Sequence, residues 1–220
     1  MSDYLPCVEL EPKTSATAAV IWLHGLGADG HDFEPIVPAL DLPKTLAVRF
    51  VFPHAPTIPV TINNGMRMPA WYDILELNLQ RRVDEAQLVK SAIAVGDLIA
   101  REVERGIPTE KIVLAGFSQG GAVGFHLALS YPQELAGLLA LSTYFATRET
   151  LVPHPANAKL PVVIHHGQYD QLVPEKMGRL NADILREWGH PVEYKTYPME
   201  HAVCPPQIRD IGKWLTERLT

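Results

Sequence analysis

Short apolar runs that resemble strands alternate along the chain with longer runs that have the spacing of helices. The strand-like runs are residues 19–23, 47–52, 111–116, 137–141, 161–165 and 192–197. The helix-like runs are residues 84–105, 119–130, 174–188 and 205–219. Strands that alternate with helices of this length form parallel sheets covered on both sides. The sequence therefore predicts an α/β fold with a mostly parallel central sheet and helices on both faces.

Composition narrows the classes of function that the chain can have. It has 220 residues, 47% of them hydrophobic, and a formal net charge of -6. We expect one domain over residues 1–220. The net negative charge disfavours binding to nucleic acid. No apolar stretch is long enough for a membrane helix, and the first residues lack the apolar core of a secretory signal. Cys7 and Cys204 suit neither a disulfide scaffold nor zinc, so we expect buried, reduced thiols in a cytoplasmic protein without a metal.

The sequence LAGFSQGG at residues 114–121 places a serine between two glycines, where a strand-like run passes into a helix-like run. Gly116 and Gly120 lie two residues before and after Ser118. This spacing matches the Gly-x-Ser-x-Gly turn that raises a nucleophilic serine above a sheet edge. A glycine-rich loop with a capping serine is the alternative, but the flanking strand and helix favour the nucleophile.

A serine nucleophile needs a base, and in this arrangement the base follows the serine in the chain. His201 comes just after the strand-like run 192–197, at the carboxyl end of the sheet where reacting groups gather. His190 lies at the opposite end of that run, and His165 and His166 come before any suitable acid. The sequence therefore predicts His201 as the base.

The acid that orients the base is found by the same reasoning. Asp170 lies in the sequence QYDQLVP, just beyond the carboxyl end of the strand-like run 161–165. Asp183 and Asp210 fall within predicted helices, where solvated surface charges are common. We predict Asp170 as the acid.

Acyl transfer also needs N–H donors for the developing oxyanion. One is expected from Gln119, directly after the serine, and the other from the glycine-rich sequence HGLGADG after the run 19–23. That sequence fits neither a dinucleotide-binding nor a phosphate-binding loop, so we predict the Leu26 N–H as the second donor. Because Gln119 would act through its backbone, we expect removal of its side chain to leave much of the activity.

Residues 53–79 form a long, proline-rich segment with little periodicity. A loop of this length inside a compact domain is usually functional, and this one carries many apolar side chains. We predict that it forms one wall of an acyl pocket through substrate-binding residues Met66, Met68, Trp71 and Leu75. Packing of the segment on the core or on a second subunit is the alternative.

Five blocks occur in order between residues 23 and 204: LHGLGADG, PHAPTIPVTINNGMRMPAWYDI, GFSQGG, HGQYDQLVP and MEHAVC. Together they resemble the phospholipase/carboxylesterase group of α/β-hydrolases, which includes small carboxylesterases and acyl-protein thioesterases. The resemblance looks closest to the bacterial carboxylesterase branch. It implies a single α/β-hydrolase domain, the triad Ser118, Asp170 and His201, the oxyanion donors Leu26 and Gln119, no cofactor, and frequently a homodimer.

We therefore expect a serine esterase that hydrolyses carboxylic esters of short to medium acyl chains through an acyl-enzyme. An acyl-protein thioesterase or lysophospholipase with the same triad is the alternative. A ligand-binding domain that had lost catalysis would usually lack a triad residue, and none is missing here.

Overall fold

Alternating strands and helices build the computed structural model, which describes residues 4–76 and 82–220. The strands are β1 (Cys7–Leu10), β2 (Ala18–Leu23), β3 (Val48–Pro53), β4 (Thr57–Val60), β5 (Met66–Pro69), β6 (Ile112–Phe117), β7 (Gly137–Leu141), β8 (Val162–Gly167) and β9 (Val192–Tyr197). The α-helices are α1 (Glu85–Glu104), α2 (Gln119–Ser130), α3 (Glu175–Glu187) and α4 (Pro205–Leu219). All six predicted strands and all four predicted helices are present, with shifts of one or two residues at some ends.

Seven strands form the central sheet in the order β1-β3-β2-β6-β7-β8-β9. Strand β1 is antiparallel to β3, whereas every other neighbouring pair is parallel. The carboxyl ends of β6, β8 and β9 therefore meet at one edge of the sheet. This confirms the predicted α/β class with a mostly parallel sheet.

Two apolar layers cover the sheet, as the buried strands require. In β2 the side chains of Ala19, Ile21 and Leu23 face the layer formed with α1, α2 and α3. Their neighbours Val20 and Trp22 face the opposite layer, formed with α4 and with a 3-10 helix over Glu34–Leu40. Side chains alternate across a strand, so a strand buried on both faces must be apolar throughout.

Several short elements were not predicted from the sequence. Strand β1 is short and half-buried, and the 3-10 helix over Glu34–Leu40 contains two prolines that obscure any helical pattern. Strands β4 and β5 form an antiparallel hairpin within the segment that we expected to be a loop. Its turn uses Asn64 and Gly65 at positive φ, and residues 77–79 of the segment lie outside the described residues.

Other sequence-based expectations can be compared with the structure directly. Cys7 and Cys204 are free thiols, but both are partly exposed rather than buried. Across the described ranges, no helix is long and apolar enough to cross a membrane.

Burial lowers the pKa of five histidines in the described part of the chain: His24, His126, His165, His166 and His190. The effect is largest at His165, whose pKa falls to about 4 because the ring is buried, next to Tyr197. Its Nε2 faces the Tyr197 hydroxyl at 3.4 Å, and its Nδ1 has no partner among the described residues. The fold therefore holds His165 in its neutral form.

These histidines predict a loss of stability in acid. A group whose pKa is lower in the folded than in the unfolded chain binds more protons on unfolding, so stability falls as the pH drops below about 6.5. For His165 alone the loss between pH 7 and pH 5 is about 2 kcal/mol. We expect the free energy of unfolding, measured in urea, to decline less over this pH range for the His165→Leu variant than for the wild type.

His31 provides a control, because its pKa shift has the opposite sign. Its ring is exposed, and the Glu34 carboxylate at 2.8 Å raises its pKa. A group whose pKa is raised by folding stabilises the folded chain at low pH. The free energy of unfolding of the His31→Gln variant should therefore decline slightly more steeply than that of the wild type as the pH falls. Equal slopes for the wild type and His165→Leu would contradict the assignment.

Candidate active site

Ser118 lies on a strained turn between β6 and α2. Its φ of 53° and ψ of -117° are unfavourable for a residue with a side chain. Hydrogen bonds hold the turn on both sides: the Ser118 N–H donates to the Leu141 carbonyl at 2.9 Å, and the Thr143 hydroxyl donates to the Ser118 carbonyl at 2.6 Å. The backbone thus fixes Ser118 at the carboxyl edge of the sheet, as predicted.

The glycines around Ser118 are required by close packing. A Cβ on Gly116 would lie 2.5 Å from the Gly120 carbonyl oxygen, and a Cβ on Gly120 would lie 2.5 Å from the His24 carbonyl oxygen. Real Cβ atoms do not approach backbone atoms so closely. The first helical turn therefore packs directly on β2 and β6, and only glycine permits this approach.

Asp170 and His201 form a short hydrogen bond beyond the ends of β8 and β9. The His201 Nδ1 lies 2.6 Å from Asp170 Oδ2. The other carboxylate oxygen accepts the N–H groups of Leu172 and Val173 at 3.0 and 2.8 Å. Since a carboxylate can only accept, Nδ1 carries the proton, and Nε2 of His201 is left as an acceptor.

His201 also lies close to the serine turn. Its ring is 4.7 Å from the ring of Phe117, the residue before Ser118, measured between centroids. Ser118 and His201 line the same cleft. The structure therefore brings together all three residues that the sequence predicted as a triad.

His166, near the end of β8, is a second histidine close to the acid, and the sequence analysis assigned it no role at the site. Its Nε2 lies 3.7 Å from Asp170 Oδ2 and hydrogen-bonds the Val173 carbonyl at 2.7 Å. Nε2 donates that hydrogen bond, since a carbonyl can only accept, and burial lowers the pKa of His166, which favours the neutral ring. His166 thus supports the loop that carries Asp170 without adding charge.

Leu26 and Gln119, the predicted oxyanion donors, line the same cleft as Ser118. Within residues 4–76 and 82–220, neither backbone N–H donates to a protein acceptor. His24 supports the Leu26 loop: its Nδ1 donates to the Gly25 carbonyl at 2.7 Å, and its Nε2 accepts the Ala55 N–H at 3.1 Å. Both ring nitrogens are used, which fits the neutral form that burial favours.

The cleft has a volume of about 730 Å³ and a mainly apolar wall. Besides Leu26, the larger apolar side chains in this wall are those of Ile62, Ile74, Phe117, Leu172, Val173 and Met177. Asp32 adds one carboxylate, and burial together with Asp29 raises its pKa. A space of this size and character suits a hydrophobic chain attached to a polar reacting group.

The structure corrects the predicted substrate-binding residues. Met66 is 65% exposed, Trp71 is buried in the core, and Met68 accepts a hydrogen bond from the Asn63 amide. Leu75 is half-buried, and its N–H donates to the Arg82 carbonyl. None of the four lines the cleft; the segment contributes Ile62, Asn63 and Ile74 instead. The hairpin turns Met66 outward, and this could not be read from composition.

The fold and the cleft define an α/β hydrolase with a serine at the turn after a central strand. The chain belongs to the phospholipase/carboxylesterase family, whose pattern matches residues 7–219. It is 42% identical to acyl-protein thioesterase 1 of Neurospora crassa, over 92% of this chain and 87% of that protein.

Two solved structures show the same architecture. Arabidopsis thaliana SOBER1 superposes with a TM-score of 0.87 at 30% identity, over 92% of this chain and 99% of that one. Zea mays acyl-protein thioesterase 2 gives a TM-score of 0.83 at 26% identity, over 99% and 100%. The resemblance inferred from the sequence motifs is thereby confirmed.

The close packing at the serine turn predicts a large cost for any side chain at Gly120. We expect Gly120→Ala to lower the free energy of unfolding by several kcal/mol or to prevent folding, because the added methyl group meets backbone that cannot move aside. Gly96 in α1 is the matched control, since a Cβ there meets only Leu127 at 3.5 Å. Gly96→Ala should raise stability by about 0.5–1 kcal/mol in the same urea titration. A Gly120→Ala protein as stable as the wild type would contradict this packing.

Proposed function

We propose that this protein is a serine esterase that hydrolyses carboxylic esters of short to medium acyl chains through an acyl-enzyme. The observation that carries the proposal is the 2.6 Å bond from Asp170 to His201, a histidine that lines the same cleft as Ser118. A shared fold does not by itself define an activity, so the proposed chemistry depends on these three residues.

In the proposed reaction the Ser118 Oγ attacks the ester carbonyl while His201 Nε2 takes the hydroxyl proton. Asp170 holds the Nδ1–H tautomer of His201 and stabilises the ring when it becomes positively charged. The tetrahedral intermediate collapses as the alcohol leaves with the proton from His201. Water then attacks the acyl-enzyme with His201 again as the base, which releases the acid and restores Ser118.

The N–H groups of Leu26 and Gln119 would bind the oxyanion in this scheme. Both are free of other acceptors within the described residues and lie along the cleft with Ser118. Donors placed in advance stabilise the charge without reorganisation, and one donor is typically worth a hundred- to thousandfold in rate. The apolar wall would then hold the acyl chain.

Hydrolysis of thioesters on acylated proteins, or of lysophospholipids, is the second candidate. The Neurospora crassa and Zea mays relatives are named acyl-protein thioesterases, and the same nucleophile and oxyanion donors would cleave either bond. Matched oxygen and sulfur esters with one acyl chain separate these activities through their kcat/KM values. The proposed reaction uses no metal or cofactor, and we propose no nucleic-acid partner.

We further propose one domain over residues 1–220, because both apolar layers share a single sheet. The cytoplasmic location and the homodimer rest on the sequence and on the family resemblance. Sedimentation of the purified protein tests the oligomeric state.

The nucleophile is tested by replacing Ser118 with alanine. Ser118→Ala should lower kcat for a chromogenic short-chain ester by at least about a thousandfold, because no other side chain in the proposed reaction attacks the ester carbonyl. A fluorophosphonate should label the wild type at Ser118, which peptide mass spectrometry can locate. An active Ser118→Ala protein, or labelling at another residue, would overturn the assignment.

The base is tested by comparing two histidines near opposite ends of β9. His201→Ala should lose several orders of magnitude in kcat, since the proton of Ser118 would have no acceptor. His190 is buried against the Leu160 carbonyl, away from the cleft lining, so His190→Ala should retain most of the activity in folded protein. Equal losses in the two variants would count against His201.

The cleft wall is tested with two residues near the turn of the hairpin. Ile62→Ala should change kcat/KM severalfold for some acyl lengths and little for others, because each buried methylene is worth roughly 0.8 kcal/mol. Met66 points into solvent, so Met66→Ala should leave the acyl-length profile unchanged. A shifted profile for Met66→Ala with none for Ile62→Ala would contradict the structural wall.

A further inference from the structure

The side chain of Gln119 is buried and makes two hydrogen bonds to the backbone of a distant segment. Its Oε1 accepts the Trp71 N–H at 2.7 Å, and its Nε2 donates to the Tyr72 carbonyl at 2.7 Å. Only 1% of the residue is exposed. The amide thus joins the first residue of α2 to neighbouring peptide groups 47 and 48 positions earlier in the chain.

The segment that Gln119 holds is itself bonded to the glycine-rich loop. The indole N–H of Trp71 donates to the His24 carbonyl at 2.9 Å. The Gly27 N–H donates to the Pro69 carbonyl at 2.8 Å. These bonds lie on either side of Leu26, so its loop is fixed to residues 69–71.

The bonds form a continuous connection between the two predicted oxyanion donors. It runs from the Gln119 amide to the backbone of Trp71 and Tyr72, and from Trp71 to the loop that carries Leu26. The Gln119 N–H lies at one end of this connection, and the Leu26 N–H lies at the other. We call this set of bonds the amide clamp.

We infer that the Gln119 side chain is a positioning residue that sets the separation between the Leu26 and Gln119 N–H groups. This inference rests on the proposed acyl-transfer function. The backbone of Gln119 would bind the oxyanion, while its side chain would hold the other donor in place. The sequence-based expectation that the side chain can be removed is therefore revised.

The geometry explains why one side chain can have this effect. The Leu26 loop follows β2 without regular structure, whereas α2 is packed tightly through its glycines. Oxyanion donors work only within a few tenths of an ångström of their required position, and a misplacement near 1 Å can cost about a hundredfold in rate. The amide clamp connects the irregular loop to the rigid helix.

A positioning role differs from a purely structural role in the step that it affects. Oxyanion contacts strengthen in the transition state, so their loss lowers kcat with little change in KM. Inhibition by a trifluoromethyl ketone, which forms a tetrahedral oxyanion on a serine, should weaken in parallel. A loss of stability alone would change neither quantity in the folded fraction.

The first test replaces the amide by a group of similar size that cannot donate to the Tyr72 carbonyl and is only a weak acceptor for the Trp71 N–H. We expect Gln119→Met to lower kcat for a short-chain ester ten- to a hundredfold, to leave KM within about threefold, and to raise the trifluoromethyl ketone Ki by about the same factor as kcat falls. Unchanged kcat and Ki in the folded Gln119→Met protein would overturn the inference, as would a loss confined to KM.

Asn157 provides a matched control. Its buried amide also bridges backbone groups, accepting from the Leu135 N–H and donating to the carbonyls of Tyr131 and Gln133. It does not line the cleft. Asn157→Leu should lower the melting temperature yet keep kcat and the inhibitor Ki within about twofold. Equal catalytic losses in both variants would show a general effect of destabilisation and would overturn the positioning role.

The second test restores the clamp by protonation. In Gln119→Glu the neutral carboxyl can accept from Trp71 and donate to the Tyr72 carbonyl, whereas the carboxylate cannot donate. The ratio of kcat/KM between Gln119→Glu and the wild type should therefore rise as the pH falls from 8 to 5.5. The wild type at each pH corrects for the titration of other groups. A ratio that is independent of pH, or that falls in acid, would contradict the clamp.

The wild-type measurement separates this inference from the proposed function. An inactive wild type would overturn the proposed function and the clamp together. An active wild type, inactivated by Ser118→Ala but unaffected by Gln119→Met, would overturn the clamp alone.

Discussion

The backbone at Ser118 is the constraint on which the rest of the site depends. A positive φ is unfavourable for serine, and the turn persists because the Leu141 carbonyl and the Thr143 hydroxyl hold it from both sides. Close approach of α2 to the sheet then requires Gly116 and Gly120. These hydrogen bonds and this close packing thus fix both the serine and the first N–H of the helix relative to the sheet.

The parallel sheet brings the remaining groups to the same edge. Asp170 follows β8 and His201 lies between β9 and α4. Because β8 and β9 are neighbours in the sheet, these two residues meet although they are far apart in the sequence. Asp170 has hydrogen bonds to two backbone N–H groups and to His201, which satisfies a buried carboxylate. The geometry of the site is therefore a consequence of the fold and needs few specialised contacts.

Much of this could be predicted because the relevant signals are local. The buried strands are continuously apolar, and Ser118, Asp170 and His201 each follow a strand at a recognisable place. The cleft wall could not be predicted, because Ile62, Tyr144 and Met177 come together only through tertiary packing. The β4–β5 hairpin was missed because prolines and exposed residues interrupt its pattern. The Gln119 bonds were missed because a side chain that reaches 47 residues along the chain leaves no periodic signal.

A crystal structure of the protein with a trifluoromethyl ketone bound at the cleft would be the most direct test of the Ser118 nucleophile and its oxyanion donors. We expect a covalent bond from Ser118 Oγ to the ketone carbon, with the resulting oxyanion about 2.7–3.1 Å from the N–H groups of Leu26 and Gln119. His201 Nε2 should lie within hydrogen-bonding distance of Ser118 Oγ while its Nδ1 stays bonded to Asp170. An adduct on another residue would contradict the assignment of Ser118, and an oxyanion directed away from both N–H groups would contradict the assignment of the donors.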